Sequence, residues 1–452
     1  MHVERTPLAA LVAGLAGLMG LIGLAAATAA GAESSAAVEP AVARLAVTAL
    51  SADAAAAPAA VAELRRAGPD AVPALLAAQA EHPVDESRFR ERLDQVCAQH
   101  DCAASRLFWY TDLGRARAAA RRTGRPILSL RLLGRLDEEM SCANSRFFRT
   151  VLYGNEEVSR LLREGFVLHW SSERPVPKVT IDFGDGRALQ GTITGNSIHY
   201  VLDTRGRLVD ALPGLYGPRA FQGLLEIDRE EALSLSPLDD ATFAFKLGGF
   251  HRAAMRRADD ALVHDLEIVG APEQAFALAF PGALGQAARD ERRRPRSGVT
   301  PTAYAAANLA MTKSAGESVP LAALSITGRQ QEVARVDWQK IAGLHGEDWA
   351  LDARSIAELE RKLAARDPDP ASRREAIQRF QGLVGVDTVR NEALFHAVLH
   401  SWLGASRDVE DLDRFNQRVY ADLFLTPRSD PWLGLAAPET FMALDPTGQP
   451  RR

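Results

Sequence analysis

The sequence predicts an α/β domain in the middle of the chain, preceded by a helical leader and followed by a mainly α-helical C-terminal domain. Three observations support this fold class. A near-continuous apolar run, Pro126 to Leu133, is typical of a buried central strand. The turn signals Gly184-Asp-Gly186 and Thr204-Arg-Gly206 each separate two strand-like segments. Beyond Asp228, strand patterns largely disappear and Ala-, Leu- and Arg-rich helical patterns dominate.

Length and composition indicate a globular protein of more than one folded unit. The 452 residues exceed the usual size of one domain. A hydrophobic content of 47% and a charged content of 25% are typical of a protein with a buried core. The net charge of −5 predicts no nucleic-acid partner. We interpret the basic run Arg292, Arg293, Arg294 and Arg296 as a solvated loop, with an anion-binding surface as the alternative.

Residues 1–32 are predicted to be a signal peptide. His2 and Arg5 precede an apolar stretch from Leu8 to Ala30, which ends in small residues before the chain turns polar at Glu33. A charged start, an apolar middle and a small-residue exit form the signal-peptide pattern. The stretch is long enough to span a bilayer, so an uncleaved anchor is the alternative. We expect a periplasmic or secreted protein with no stable membrane span after processing.

The helical leader, residues 33–106, shows apolar residues at helical spacing. Gly68-Pro69 and Pro73 interrupt this spacing, which predicts several short helices. Near its end, Cys97 and Cys102 bracket a loop of four residues. In an oxidising compartment such a close pair favours a disulfide, which leaves Cys142 as the odd cysteine.

The middle domain, residues 107–228, alternates between helical and strand patterns, and helical patterns fill the C-terminal domain, residues 229–426. Residues 427–452 are rich in Pro and Gly and are predicted to form an extended tail. The elements predicted for the middle domain are a helix over Asp112 to Thr123, the strand ending at Leu133, a helix over Asn144 to Gly165, a strand over Phe166 to Trp170, hairpins over Val179 to Ile193 and Ser197 to Leu212, and a helix from Pro218.

The order helix, buried strand, loop, Cys, helix, strand, hairpin and helix resembles the thioredoxin fold. The local sequence resembles exported bacterial thioredoxin-like proteins of the DUF255 type. The features that carry this resemblance are Trp109, the Ala-rich helix after it, the block starting at Gly124 and the segment Ser141-Cys-Ala-Asn-Ser-Arg-Phe-Phe-Arg149. The strand ending in Tyr200-Val-Leu-Asp203 is similar to the penultimate strand of that family. The resemblance covers about a quarter of the chain and implies a thioredoxin-like domain with a reactive thiol at Cys142.

The predicted position of Cys142 explains why its thiol is expected to be reactive. Unpaired backbone N–H groups and the positive end of the helix dipole at the first turn of a helix stabilise a thiolate. The thiolate is the species that attacks disulfides. We therefore expect a partly exposed thiol. The acidic residues Asp137, Glu138 and Glu139 lie just upstream and oppose this effect.

Two positions depart from the thioredoxin pattern. The motif Cys142-Ala143-Asn144-Ser145 has Ser where a second Cys is usual, so the site cannot close its own disulfide. Ser197 stands near the position where the family places a proline that faces the Cys. Ser145 is predicted to donate a hydrogen bond to the thiolate.

Several histidines are further candidates for chemistry. Glu392, His396 and His400 are four residues apart on one predicted helix, a spacing that would suit a metal or haem site. We interpret His396 and His400 as packing residues instead and predict no metal and no cofactor. His169 and His199 lie on predicted strands, where either could act as a general base toward Cys142.

The function predicted from the sequence is that of an exported thiol oxidoreductase. Cys142 would be the nucleophile, and the substrate would be a thiol or disulfide of a protein or small molecule. The alternative is a non-catalytic thioredoxin-like scaffold whose C-terminal helical domain binds a partner protein.

Overall fold

A computed structural model describes residues 40–192, 195–271, 336–364, 367–424, 426–430 and 433. The predicted signal peptide, the basic run that begins at Arg292 and most of the predicted tail lie outside these residues. Within the described residues, none of the helices combines the length and the apolar character that crossing a membrane requires.

The leader consists of short helices, as the sequence predicts. Gly68 ends the second helix at the predicted Gly-Pro break. Its φ of 97° is costly for residues other than glycine, which explains why a glycine stands at this position. The Asp85 side chain caps the fourth helix by accepting a hydrogen bond from the Arg88 amide. The helices are α1 (40–50), α2 (Ala56–Ala67), α3 (Ala71–Glu81), α4 (Glu86–Cys97) and α5 (Cys102–Ser105).

The middle of the chain contains the strands. Asp112 caps α6 through the Arg115 amide, and Pro218 begins α9. The elements are α6 (Leu113–Thr123), β1 (Ile127–Leu133), α7 (Ala143–Phe147), a π-helical turn (Phe148–Leu152), α8 (Glu156–Gly165), β2 (Val167–Arg174), β3 (Lys178–Asp182), β4 (Ala188–Thr192), β5 (Ser197–Leu202), β6 (Leu208–Pro213) and α9 (Pro218–Leu235).

Four strands form a mixed sheet in the order β2-β1-β5-β6. β1 is parallel to β2 and antiparallel to β5, and β5 is antiparallel to β6. Leu130 of β1 lies between Trp170 of β2 and His199 of β5. Every residue of β1 is buried, which explains why its apolar pattern does not alternate. The β3–β4 hairpin forms a separate two-stranded sheet, and β3 is exposed along its whole length.

The structure corrects one predicted element of the middle domain. The helix predicted over Asn144 to Gly165 is divided into α7, the π-helical turn and α8. The backbone of Asn155 is extended, and its side chain caps α8 by accepting a hydrogen bond from the Val158 amide. Helical periodicity continues across this break, so the apolar pattern alone does not reveal it.

The C-terminal segment is helical, as predicted, and it packs against the sheet and the leader. One hydrophobic cluster includes Leu64 of the leader, Leu128 of β1 and Leu403 near the C-terminus. The predicted domain boundaries remain predictions. The C-terminal elements are α10 (Asp240–Ile268), α11 (Trp338–Leu344), α12 (Gly346–Trp349), α13 (Ala353–Ala364), α14 (Pro370–Arg390), a π-helical turn (Asn391–His396), α15 (Ala397–Ala405), α16 (Leu412–Arg418) and a last π-helical turn (Val419–Leu423).

Candidate functional site

Cys142 is the N-cap residue of α7, the helix that follows the central strand β1. Its Sγ accepts a hydrogen bond from the backbone N–H of Ser145, with a sulfur–nitrogen distance of 3.4 Å. An N-cap acceptor satisfies one of the amides that the first turn of a helix leaves without a partner. The structure therefore places Cys142 at the helix terminus that the sequence predicts.

The expected partial exposure of Cys142 is wrong, because the side chain is 0% exposed. The loop before β5 lies directly on the first turn of α7. A Cβ atom at Gly195 would come within 2.9 Å of Asn144 Oδ1, so that position admits only a glycine without rearrangement. Ser197 Oγ accepts a hydrogen bond from Asn144 Nδ2 at 2.6 Å. Ser197 thus faces the helix of Cys142, and its hydroxyl holds that helix.

The C-terminal segment packs on the loop that lies against the first turn of α7. The hydroxyl of Tyr420 donates a hydrogen bond to the carbonyl of Asn196 at 3.2 Å. Thr426 links both residues, because its amide donates to the Tyr420 carbonyl and its Oγ1 accepts from Asn196 Nδ2. Burial raises the pKa of Tyr420 well above its usual value, and negative charges that include Tyr200, Glu173 and Cys142 add to this effect.

The predicted role of the Ser145 hydroxyl is not what the structure shows. The backbone N–H of Ser145, not its hydroxyl, donates to Cys142 Sγ. Among the described residues, Ser145 Oγ has no hydrogen-bond partner, nor do the neighbouring Ser141 Oγ and Asn144 Oδ1. All three atoms are buried. Buried polar atoms without partners are rare in folded proteins and often mark a place for water or a ligand.

The acidic residues before Cys142 direct their carboxylates away from it. Glu138 and Glu139 are exposed. Asp137 forms an ion pair with Arg135 at 2.6 Å, and Glu138 lies 3.4 Å from the same guanidinium. Solvent and Arg135 therefore screen the negative charges that were expected to oppose a thiolate.

Arg149 is a site residue that the sequence reasoning missed. Its buried guanidinium donates hydrogen bonds to the backbone carbonyls of Glu138 and Glu139, at 3.0 and 3.2 Å. Burial lowers the pKa of Arg149, and negative charges that include Asp101 and Cys142 act against this shift. A thiolate at Cys142 would thus have a buried cation as a counter-charge. The helical spacing of Arg149, seven residues after Cys142, was the available signal.

The hydrogen bonds of His169 and His199 give no support to a general-base role. His169 Nδ1 pairs with Ser129 Oγ at 2.8 Å, and His199 Nε2 pairs with the Tyr153 hydroxyl at 2.6 Å. Burial lowers the pKa of each histidine to about 3. A base with so low a pKa is poorly matched to a thiol at neutral pH. Both rings instead belong to the buried layer around the sheet.

Cys97 and Cys102 form the predicted disulfide, with an S–S distance of 1.94 Å. The bridge closes the turn between α4 and α5. Within that turn, Gln99 accepts a hydrogen bond from Trp109 Nε1 at 2.8 Å, and the Trp109 amide donates to the Cys97 carbonyl at 3.0 Å. The disulfide therefore fixes a turn at the end of the leader, and the hydrogen bonds of Trp109 join that turn to the start of the middle domain.

The interpretation of His396 and His400 as packing residues stays a prediction. Both are buried, and their ring nitrogens face Asp210 of β6. Ligand atoms from Asp210, His396 and His400 lie within 4.8 Å of one another. Sequence spacing could not show this, because Asp210 lies 186 residues before His396.

The Asp210 cluster, which we define as Asp210, His396 and His400, is strongly polarised. Burial alone would lower the pKa of His396, but the carboxylates of Glu392 and Asp210 outweigh it and raise that pKa well above its usual value. Burial lowers the pKa of His400 to about 2, and the charge of His396 adds to this effect. Without a bound ion, the cluster is therefore a buried His396–Asp210 ion pair beside a neutral His400.

Comparisons with models of known families, with curated proteins and with solved structures find no match to this chain, so the chemistry of the site is argued from its own residues.

Proposed function

We propose that this protein is an exported thiol–disulfide exchange protein that acts through Cys142 in a thioredoxin-like domain. The observation that carries the proposal is the position of Cys142 at the N-cap of α7, just beyond the carboxyl end of the central strand. Ligand and reaction sites of open α/β sheets commonly lie at this edge. The Cys97–Cys102 disulfide is consistent with export, because such bonds persist in oxidising compartments.

The arrangement of the elements supports a thioredoxin-like domain. The order of the elements is the one that the resemblance implies: a helix, a buried strand, a loop that leads to the cysteine at a helix start, and a parallel strand. An antiparallel hairpin, β5 and β6, and the helix α9 complete the series. The β3–β4 hairpin is an insertion between the second strand and this closing unit.

The exchange reaction needs only one cysteine. The Cys142 thiolate attacks one sulfur of a substrate disulfide, so that a Cys142–substrate disulfide forms and the other substrate sulfur leaves as a thiolate. A thiol of the substrate or of an outside molecule then attacks the mixed disulfide and releases the Cys142 thiolate. The numbers of thiols and disulfides are unchanged, so that isomerisation requires no oxidant or reductant.

The surroundings of Cys142 suit a transient thiolate. The Ser145 amide already donates to the sulfur, and Arg149 provides a buried positive charge. The hydroxyls of Ser141 and Ser145 have no partner among the described residues and can turn toward a leaving or attacking sulfur. These groups stabilise negative charge where the exchange reaction develops it.

Access to Cys142 requires the cover to open. Cys142 is fully buried, and the loop at Gly195 and Asn196, which lies against the first turn of α7, is held by Tyr420. Segments held by few hydrogen bonds can open locally at a lower free energy than global unfolding. We therefore propose that substrates react with an opened state in which the last π-helical turn has moved away.

The same burial favours the second candidate function, a non-catalytic thioredoxin-like scaffold whose C-terminal helices bind a partner. In that case Cys142 acts only as the cap of α7, and its sulfur never meets a substrate. The two functions differ in whether Cys142 reacts while the protein is folded.

Reaction of the folded protein with oxidised glutathione tests the proposal. Mass spectrometry would follow the mixed disulfide at Cys142, with Cys142→Ser as the blank. We expect a rate well above the rate of global unfolding, which is measured separately by dilution into urea. A reaction rate equal to the unfolding rate would favour the scaffold function, because the thiol would then react only in unfolded chains.

A further inference from the structure

We propose that Asp210, His396 and His400 form a buried site for one divalent transition-metal ion of the Zn²⁺ class. Three different elements supply these residues: β6, the π-helical turn at Asn391–His396 and α15. All three side chains are buried, and His251 of α10 lies against His400. The site is separate from the cysteine chemistry proposed above, and its role is to hold the C-terminal helices on the edge strand β6.

The distances between donor atoms suit coordination of one ion. His396 Nε2 lies 3.2 and 3.3 Å from the two oxygens of Asp210. His400 Nδ1 lies 3.8 Å from Asp210 Oδ1, and His251 Nδ1 lies 2.9 Å from His400 Nδ1. Ligands about 2.0–2.2 Å from a metal, at angles between octahedral and tetrahedral, are about 3.0–3.5 Å apart. The ligand atoms of Asp210, His396 and His400 all lie within 4.8 Å of one another, so small side-chain shifts would bring these three atoms to such separations.

The outer nitrogens of two histidines are fixed by acceptors, which directs their other nitrogens inward. His396 Nδ1 donates to the carboxylate of Glu392 at 2.8 Å, so Nε2 faces Asp210. His251 Nε2 donates to the backbone carbonyl of Val209 at 2.9 Å, so Nδ1 faces His400. A histidine whose second nitrogen donates to a carboxylate or a carbonyl is the usual arrangement around bound metals.

A second observation, independent of these distances, also indicates a missing ligand. Asp228 is hydrogen-bonded to Asp210, but its Oδ2 has no partner among the described residues. The hydroxyl of Tyr216, also buried, has none either, and it interacts electrostatically with Asp210, Asp228 and Glu392. Two unpartnered polar groups beside a set of three imidazoles are costly unless an ion or its bound water completes the site.

Without an ion, the same residues form a hydrogen-bonded network. His396 Nε2 lies 3.2 and 3.3 Å from the two oxygens of Asp210, whereas a charge-assisted hydrogen bond between an imidazolium and a carboxylate is usually about 2.7–2.9 Å long. Titration with Zn²⁺ distinguishes the network from the metal site.

The donor set and the burial determine the class of metal. Imidazole nitrogen suits Zn²⁺, Cu²⁺, Fe²⁺ and Ni²⁺, and a single carboxylate is compatible with each of them, whereas Mg²⁺ and Ca²⁺ require mostly oxygen ligands. Three protein ligands leave a fourth tetrahedral position for a water molecule, an arrangement that Zn²⁺ sites use. The charges of Asp210 and Glu392 would balance one divalent cation that binds neutral histidines.

The full-length protein without an affinity tag provides the test. After treatment with a chelator, the protein would be titrated with ZnSO₄ alone, and binding would be measured by competition with a chromophoric chelator and by the shift in Tm. We expect one Zn²⁺ per chain and a rise in Tm. His396→Gln and His400→Gln should each weaken binding at least tenfold, while His169→Gln, which changes a buried histidine outside the cluster, should not.

A second readout covers the case in which the cluster variants do not fold. Titration of the chelator-treated wild type with CoCl₂ should produce the visible absorption of a Co²⁺ ion with mixed nitrogen and oxygen ligands. Failure of the wild type to bind Zn²⁺ or Co²⁺, or equal binding by folded His396→Gln and wild type, would overturn the proposal. Neither result depends on whether Cys142 exchanges disulfides.

Discussion

The hydroxyl of Tyr420 donates a hydrogen bond to the backbone carbonyl of Asn196, at 3.2 Å. This contact joins the end of the helical C-terminal segment to the loop that lies against the first turn of the helix that Cys142 caps. Cys142 and Tyr420 are far apart in sequence, and the packing of the C-terminal segment brings Tyr420 onto this loop. We expect access to the thiol to depend on this loop as much as on the helix terminus.

Removal of the Tyr420 side chain should accelerate alkylation of Cys142 by iodoacetamide in the folded protein. Truncation of a buried aromatic residue costs about 3–5 kcal/mol, part of which lowers the free energy of local opening. We expect Tyr420→Ala to react at least about tenfold faster, since tenfold corresponds to only about 1.4 kcal/mol. Leu75→Ala, a buried leader residue, serves as the matched control for general destabilisation. Equal acceleration in both variants would contradict a local cover.

Replacement of Cys142 itself should reveal its capping role. Cys142→Ala removes the acceptor of the Ser145 amide, and loss of an N-cap acceptor costs about 0.5–2 kcal/mol. Cys142→Ser keeps an acceptor, so it should lose less of the free energy of unfolding. Urea denaturation measures both variants. Equal stabilities would show that the Cys142 sulfur contributes nothing as a cap.

Reduction of the Cys97–Cys102 disulfide should lower the free energy of unfolding by about 2 kcal/mol. The bridge closes a short loop, so it removes only a small amount of entropy from the unfolded chain. The measurement is urea denaturation with and without a phosphine reductant, with the Cys142→Ser protein as background. Two alkylatable thiols at these positions in the untreated native protein would contradict the bond.

Stability should fall as the pH decreases below about 6.5, because the buried His169 and His199 must remain neutral in the folded state. Burial lowers the pKa of His169 and His199 to about 3, whereas the unfolded value is about 6.5. Between these values only the unfolded chain takes up the protons. Each histidine should therefore reduce the free energy of unfolding by up to about 1.4 kcal/mol per pH unit.

Variants identify the histidines responsible for this pH dependence. We expect His169→Gln and His199→Gln each to flatten the slope of unfolding free energy between about pH 6.5 and pH 5, measured by urea denaturation. His82→Gln, at an exposed position, is the control and should keep the wild-type slope. Unchanged slopes in all three variants would show that other groups control acid unfolding.

Gly217 should be required for docking of the C-terminal helices on α9. A Cβ atom at Gly217 would lie 2.3 Å from Trp349 Cα, so alanine must displace backbone. Overpacking of this kind typically costs about 1–3 kcal/mol. Gly223→Ala, in α9 with no atom within 4 Å of the added Cβ, should instead stabilise by up to about 1 kcal/mol. Thermal denaturation of the two variants compares them, and a stable Gly217→Ala would contradict the close contact.

The sequence by itself determined the local elements and their kinds. The near-continuous apolar run at β1 identified a strand buried on both faces, and the Gly turns identified both hairpins. The five-residue spacing of Cys97 and Cys102 predicted their disulfide. These features depend on residues close together in the chain, where periodicity and turn chemistry act directly.

Only the tertiary structure decided the environment of each reactive group. The helix start at Cys142 was predictable, but its burial depends on long-range packing, in which the loop at Gly195 lies against α7 and Tyr420 holds that loop at Asn196. The four-residue spacing of His396 and His400 was visible, whereas Asp210 and His251 come from a strand and a helix far earlier in the chain. Sequence patterns report which face of an element is buried, but not which side chains of other elements meet there, because that depends on how the elements pack.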